Sequence, residues 1–356
     1  MGMQFSHNCV NRILLPIWLS LPARQCDDPE KAMCGMREAL AVLLIVTIPR
    51  VVASAPAQNY PAKPVRIVTG GATTFHDIVT RQLGQRLSER WGQPVVVENQ
   101  PAAALTIGTG IAARATPDGY TLVMSDRSAL AVAPHLYKSL PYDPAKDFAP
   151  ITLAALAPTM LVAHSSVPAT TLSEFLTYAK DQPQGVQFAT AGPGTNNHIA
   201  MELLKHATGL NIVPIHYKGG GASSVAILSG EVKAGFGLVP QVLPHVKAGK
   251  MRAYVVTGRQ RFPGAPDLPT AAEAGLPGFE LEFWIGMLAP ARTPPALVAR
   301  LNRDIGKVLQ TPALQATLLA QGAVAAPGTP NEFAAFMKGE STKMKRLIEL
   351  TGMRVD

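Results

Sequence analysis

The chain has 356 residues and a formal charge of +8 at neutral pH, spread along its length with no run of five or six lysines and arginines. That distribution makes no electrostatic case for nucleic-acid binding and leaves solubility or the attraction of small anions. Two domains with proper cores fit this length; a chain that is 47% hydrophobic is not disordered, and 31 prolines require many loops and edges.

The first feature along the chain is composite. Met36-Arg37 and then Ala39-Leu-Ala-Val-Leu-Leu-Ile-Val-Thr-Ile48 form a short basic region and an apolar core. Small residues follow at Ala53-Ser-Ala55 and Ala55-Pro-Ala57. Residues 36–57 therefore read as a secretory signal peptide, too short and wrongly flanked for a transmembrane anchor. Cleavage is expected after Ala57, because Pro56 hinders the alternative site. Residues 1–35 lack secretory logic and read as an extension ahead of translation from Met33 or Met36; the bland alternative is an N-terminal helix anchoring the domain. Cys9, Cys26 and Cys34 all precede the cut, so the exported chain would have neither a thiol nucleophile nor a cysteine-ligated metal.

Beyond the cut, strands are expected at 64–69, 95–98 and 120–124, with helices at about 75–89 and 107–115. This alternation predicts a parallel α/β unit with right-handed crossovers. The valines at 95–97 suit a sheet covered on both faces. A second unit follows, with strands at 160–164, 186–190, 212–217, 232–238 and 252–257. Its first helix opens at Thr171-x-x-Glu174, a capping-box pattern, and a later one spans about 222–228. A crossing strand is expected at 281–288. Thr293-Pro294 and Thr329-Pro330-x-Glu332 then announce helices that begin at a proline. Two such units predict a cleft between lobes, where small ligands bind at the carboxyl ends of parallel strands.

The organising stretch is Phe188-Ala-Thr-Ala-Gly-Pro-Gly-Thr-Asn-Asn-His-Ile-Ala200, a strand end, a glycine turn and a helix start. Such a turn lets the backbone approach a ligand, and the free N–H groups of the helix start favour an oxygen anion. The same pattern serves a plain strand-to-helix connection, and both readings stay open here. Gly70-Gly71 and Gly219-Gly-Gly221 add two more strand-end loops that can meet over one small anion. Gly108-Thr-Gly110-Ile-Ala-Ala113 imitates a dinucleotide fingerprint but stands ten residues after the nearest strand, so its glycines read as close helix packing and no cofactor is expected. His198, His206 and His216 match no zinc spacing, and the serine-hydrolase and zincin signatures are missing. Asp77 reads as a helix-start cap or a ligand-orienting carboxylate, the cap being the plainer role for an isolated acid in the first turn. Phe283 and Trp284 read as cleft wall or core.

At the level of longer motifs the chain resembles the Bug family, the periplasmic substrate-binding proteins of tripartite tricarboxylate transporters. The stretches that carry the resemblance include Tyr60-Pro-Ala-Lys-Pro-Val-Arg66, Gly92-Gln-Pro-Val-Val-Val-Glu-Asn99 and Thr116-Pro-Asp-Gly-Tyr-Thr-Leu122. Further on come Leu140-Pro-Tyr-Asp-Pro-Ala-Lys-Asp-Phe-Ala-Pro150, Ala191-Gly-Pro-Gly-Thr195 with His198, and His216-Tyr-Lys-Gly219. Leu268-Pro-Thr-Ala-Ala-Glu-Ala-Gly-Leu-Pro-Gly-Phe279 and Ala289-Pro-Ala-Arg-Thr-Pro294 complete the set. The resemblance implies an α/β, two-lobed fold like type II periplasmic binding proteins, with a hinge and an interlobe cleft. Lobe 1 is expected at 58–159 plus 283–356, and lobe 2 at 160–282. It implies a periplasmic monomer, without catalysis, that binds a small organic carboxylate and hands it to membrane permease subunits. A sensory role beside a membrane kinase and an enzyme on the same scaffold are the competing classes.

Two loops depart from the family pattern. Where the family has Pro-Phe-Pro-Pro-Gly-Gly before an Asp, this chain has Thr69-Gly-Gly-Ala-Thr-Thr-Phe-His76 before Asp77. Where it has Asn-Arg-Pro-Gly-Ala-Gly-Gly, this chain has Asn99-Gln-Pro-Ala-Ala-Ala-Leu105, so Gln100, Ala102, Ala104 and Leu105 are replacements. Carboxylate binding is expected from the better-matched loops, and the added apolar bulk opens the range to aromatic or otherwise bulky acids. The ligand-binding set is Thr73, Thr74, Phe75 and Asp77 on one side; Thr190, Gly192, Gly194, Thr195, Asn196, Asn197 and His198 on the other; and Lys218 with Gly219. The export reading predicts that N-terminal sequencing of periplasmic protein starts near Gln58; a mature chain retaining Cys34 would refute it.

Overall fold

The computed structural model describes residues 60–72, 74–100 and 105–353. The expected extension, signal peptide and cleavage site, together with Thr73, Ala102 and Ala104, lie outside the described residues. Among the described residues no helix is long and apolar enough to cross a membrane.

The chain begins with the expected alternation: β1 (Val65–Thr69), α1 (Phe75–Trp91), β2 (Val95–Asn99), α2 (Thr106–Ala113) and β3 (Thr121–Asp126). β1 lies between β2 and β3 in parallel register, with Ile67 opposite Val97 on one side and Leu122 on the other. β2 is the sheet edge, and Val96 there is 51% exposed. The valine run is thus not buried on both faces, because an edge strand is open on one side. A π-helical turn (Ser128–Val132) and the short α3 (Ala133–Leu136) follow β3, neither anticipated from sequence. The glycines of α2 do allow close packing: a Cβ on Gly108 would lie 3.2 Å from Val68 Cγ1, and one on Gly110 2.9 Å from Pro141 Cγ.

The longest strand is β4 (Phe148–His164), of which only the last five residues were expected as strand. Pro150 and Pro158 made the earlier part look broken, since proline donates nothing to a ladder. The structure absorbs Pro150 at a register shift between Pro150 and Thr152. At Pro158 the strand changes partners. Up to that residue it pairs with β9 (Glu282–Pro290); from Thr159 it pairs with β7 (Ala234–Leu238) on one side and, from Met160, with β8 (Met251–Val256) on the other. Thr257 binds this crossing together. Its N–H donates to the Thr159 carbonyl (2.9 Å) and its hydroxyl to the Leu281 carbonyl (2.6 Å).

The second half adds α4 (Leu172–Lys180), β5 (Val186–Thr190), α5 (Asn196–Thr208), β6 (Ile212–His216), α6 (Gly220–Leu228) and α7 (Val239–Lys247). β5 is parallel to β6 and to β7. β7 and β8 both run antiparallel to β4, and β9 runs antiparallel to β3 and β4. The sheet is therefore mixed, not two wholly parallel units, because β4 and β9 thread both halves in opposite directions. The order is β2-β1-β3-β9-β4-β7-β5-β6, with β8 and β10 (Val324–Ala325) also on β4. The chain closes with α8 (Pro295–Leu309), α9 (Pro312–Ala320) and α10 (Pro330–Thr351).

Caps behave according to local geometry. Thr329 and Glu332 form the reciprocal capping box at the start of α10. At α4, Thr171 accepts from the Glu174 N–H, but the Glu174 carboxylate reaches back one residue further, to the N–H and hydroxyl of Thr170. Thr293 does not cap α8: its hydroxyl donates to the Pro290 carbonyl (2.7 Å), and Pro295 takes the first helical position.

One core packs Ile67, Leu83, Met124, Ile285 and Ile305 beneath α1 and α8. Another runs through Phe175, Phe188, Phe236 and Phe279, with ring centroids 5.9–6.2 Å apart along that series, and reaches Trp284 and Phe333. Gly286 in β9 makes room for α10, since a Cβ there would overlap the buried Phe333 ring. Gly286→Ala is expected to destabilise the fold by about 1–3 kcal/mol through overpacking. A denaturant melt reads this directly, and Phe333→Leu in the same background should recover part of the loss.

Candidate functional site

A cleft of about 980 Å³ opens where strands of both halves end. Four helices start at its wall: α1 with Thr74, Phe75 and His76, α2 with Leu105, α5 with Thr195, Asn196 and Asn197, and α6 with Gly219 to Ala222. A helix start exposes N–H groups without intrahelical partners and the positive end of the helix dipole. Four of them around one space make a site for an oxygen anion.

The β5–α5 turn is built as its glycines suggested. Gly192 and Gly194 have φ of 117° and 71°, a region that L-residues with side chains rarely adopt. The Thr195 hydroxyl donates to the Gly192 carbonyl (2.6 Å), and the Gly194 N–H donates to His198 Nδ1 (3.1 Å). Accepting that bond requires His198 Nδ1 to be unprotonated. Burial, with smaller contributions from His216 and Lys205, pushes the His198 pKa down to about 4, so the ring is a neutral acceptor that holds the turn. Thr190 is buried beneath the turn, its hydroxyl against His216 Nδ1.

The two asparagines at the helix start point their amides inward. Asn196 Nδ2 donates to Thr159 Oγ1 (2.8 Å), and its Oδ1 accepts from Arg127 Nη1 (2.5 Å). Asn197 Nδ2 donates to the Phe236 carbonyl (2.5 Å). What these residues offer the cleft is therefore the free N–H groups of the α5 start. Thr195, Asn196, Asn197, Lys218 and Gly219 line the space, whereas Thr190, Gly192, Gly194 and His198 support it from behind.

On the facing side, Thr74 and Phe75 line the cleft. Thr74 caps α1, accepting from the Asp77 N–H (3.4 Å) while its hydroxyl donates to the Gly71 carbonyl (2.7 Å). Asp77 turns away, its carboxylate 2.8 Å from Arg81 Nε and accepting from Asn99 Nδ2 (2.7 Å). Thr73 lies outside the described residues. Phe283 lines the cleft, with its ring 5.8 Å from Phe75. Trp284 is fully buried and donates from Nε1 to Glu340 Oε2 (2.9 Å), so of the two aromatics one is wall and the other core.

Several lining residues had not been singled out for the site: His76, Gln100, Leu105, Asp126, Ser128 and Gln241. His76 Nε2 sits 3.0 Å from Asp126 Oδ2, and Asp126 Oδ1 accepts from the Ala129 N–H (3.1 Å). Gln100 is drawn along β2 by a bond to Glu98 Oε1 (2.8 Å). The available signal was position: all six lie at, or within seven residues of, the carboxyl end of β1, β2, β3 or β7.

A second concavity of about 530 Å³ lies at the amino ends of β5 and β6, beside the carboxyl end of α4. That end of a helix repels anions, so of these two spaces the larger cleft, with four helix starts, is the better suited to one. Among the described residues no group of three or more His, Cys, Asp or Glu side chains is placed to hold a metal ion.

This architecture, an α/β fold in two lobes with a cleft at the strand ends, is that of the periplasmic solute-binding proteins. Solved structures superpose on most of the chain. The R. palustris protein Rpa4515 with adipate has a TM-score of 0.77 at 29% identity, covering 83% of this chain and 99% of that one. MatC from Rhodopseudomonas palustris with bound malate has a TM-score of 0.72 at 30% identity, covering 81% and 100%. Among curated proteins, BugT of Bordetella pertussis is 34% identical over 327 residues, 90% of this chain and 99% of the relative. Residues 79–353 match the family model described as the tripartite tricarboxylate transporter family receptor. The chain belongs to that family.

The His198 pKa carries a stability consequence. An unfolded histidine protonates near pH 6.5 and the folded one only near 4, so the unfolded state binds more protons between these values. Stability contributed by this group is complete above pH 6.5 and falls on acidification, by up to about 3 kcal/mol below pH 4. Urea melts across this range should show the decline, and His198→Asn should flatten part of it.

Proposed function

We propose that this protein captures a small organic carboxylate in the periplasm and delivers it to the membrane permease subunits of a tripartite tricarboxylate-type transporter, acting as a monomer and without catalysis. The observation that carries the reading is the convergence of four helix starts and the Lys218 ammonium on one cleft. Free N–H donors and a cation suit a carboxylate, and they bind it without the paired acid and base that turnover would need. The ligands named for two structural relatives, adipate and malate, are both carboxylates.

The lobes are taken as residues 58–159 with 283–356, and 160–282. The partner change of β4 at Pro158 and Thr159 and the start of β9 at Glu282 support these limits. On this division α1 and α2 belong to lobe 1 and α5 and α6 to lobe 2, so a carboxylate bound by both sets favours lobe closure.

Titration calorimetry with a panel of mono-, di- and tricarboxylates, adipate and malate included, tests the reading. Lys218 is exposed and no ion pair involves it among the described residues. Lys218→Met should therefore leave the melting temperature unchanged and weaken binding about tenfold, the worth of one charge-assisted bond. Binding of no carboxylate by the wild-type protein would overturn the proposal.

A further inference from the structure

Leu105 has φ of 66° and ψ of 1°, and it is the one non-glycine residue with positive φ among the described residues. A left-handed backbone is costly for a residue with a branched side chain. Leu105 occupies the α2 cap position, and its own side chain cannot accept a capping bond that would offset that cost. Its side chain is only 7% exposed, and it lines the cleft. Gly70 leaves the room for it: a Cβ on Gly70 would lie 3.2 Å from Leu105 Cδ2. Phe75 and Phe283 pack edge to face on the cleft wall, and Leu105 and Leu238 border the same space. The N–H groups of the α5 and α6 starts and the Lys218 ammonium lie in the same cleft.

We infer that Leu105 is a specificity-determining residue, which selects carboxylates carrying an apolar body over short, fully polar dicarboxylates. The inference rests on the carboxylate reading above and narrows it. In this arrangement the carboxylate takes the N–H groups and Lys218, while the remainder of the ligand covers Leu105 and the two phenyl rings. A polar hydroxyl or second carboxylate placed directly against Leu105, Phe75 or Phe283 would lose its water without gaining a partner from those side chains. Strain kept at a binding cleft and not relieved by glycine or asparagine fits a side chain held there for the ligand.

The test compares two probes, 3-phenylpropanoate and malate, on wild type, Leu105→Gly and Leu105→Asn. Both replacements tolerate the left-handed backbone, and asparagine nearly keeps the leucine shape while removing its apolar character. Thermal melts establish that the variants fold, and calorimetry gives the dissociation constants. Wild type should prefer 3-phenylpropanoate, and both variants should lose about tenfold or more of that preference, the worth of one or two buried methylenes. A purely structural Leu105 would weaken both probes alike and leave their ratio unchanged, and that result overturns the inference. Tighter wild-type binding of malate than of 3-phenylpropanoate also overturns it while leaving carboxylate capture standing. Binding of no acid in the wider carboxylate panel would overturn both.

Discussion

Parallel strand pairing is the constraint from which the cleft follows. β1, β2 and β3 are parallel in one half and β7, β5 and β6 in the other, so each set delivers its carboxyl ends to one edge. A chain leaving such a strand must turn at once into a crossover helix, and the helix starts there with its N–H groups free. Gly70 follows β1, Gln100 follows β2, Ala191 follows β5 and Lys218 stands two residues after β6; all four line the cleft. The chemistry of the site is thus largely a property of backbone direction. Side chains modify it.

A buried guanidinium fixes how the two sets of helix starts are held. Arg127, 2% exposed, donates from Nε to Glu340 Oε2 of α10 (2.8 Å), from Nη1 to Asn196 Oδ1 at the α5 start (2.5 Å), and from Nη2 to the Glu282 carbonyl of β9. Burial pulls its pKa down, and the Glu340 carboxylate opposes that pull. An unpaired charge at this depth would be costly, so the three acceptors must arrive together. Asn196 completes the arrangement by donating to Thr159 in β4, at the residue where that strand changes partners. The helix start that lines the cleft is therefore tied to the crossing strands and to the C-terminal helix.

Periodicity and turn chemistry made much of this visible in the sequence. The alternating strands and helices, the Gly192–Gly194 turn and the Thr329 capping box depend on neighbours within a few residues, and they were legible for that reason. β4 was mostly hidden, because Pro150 and Pro158 signal breaks that a register shift and a partner change accommodate. The direction of side chains was the larger gap. Asn196 and Asn197 look like ligand donors in a linear reading, but their amides are claimed by Thr159, Arg127 and Phe236, all more than 35 residues away. Leu105 was visible as a departure from the family loop. That it would adopt a left-handed backbone and face the cleft depends on Gly70, which only the fold brings beside it.

The balance of charge in the cleft decides what kind of recognition it performs. Lys218 is the one lysine or arginine among its lining residues, and Asp126 places a carboxylate on the same wall beside His76. A strongly cationic pocket would attract any anion at long range and discriminate poorly. Here the attraction comes mainly from helix starts, whose influence falls off within the first turn and whose N–H groups point in fixed directions. Such donors reward an anion only when it sits where several of them converge. With α1 and α2 following β1 and β2, and α5 and α6 following β5 and β6, convergence requires both sets to face the same oxygen atoms. On the proposed reading, selectivity then passes to the rest of the ligand, which meets the phenyl and isobutyl groups of the lining as well as the polar helix starts.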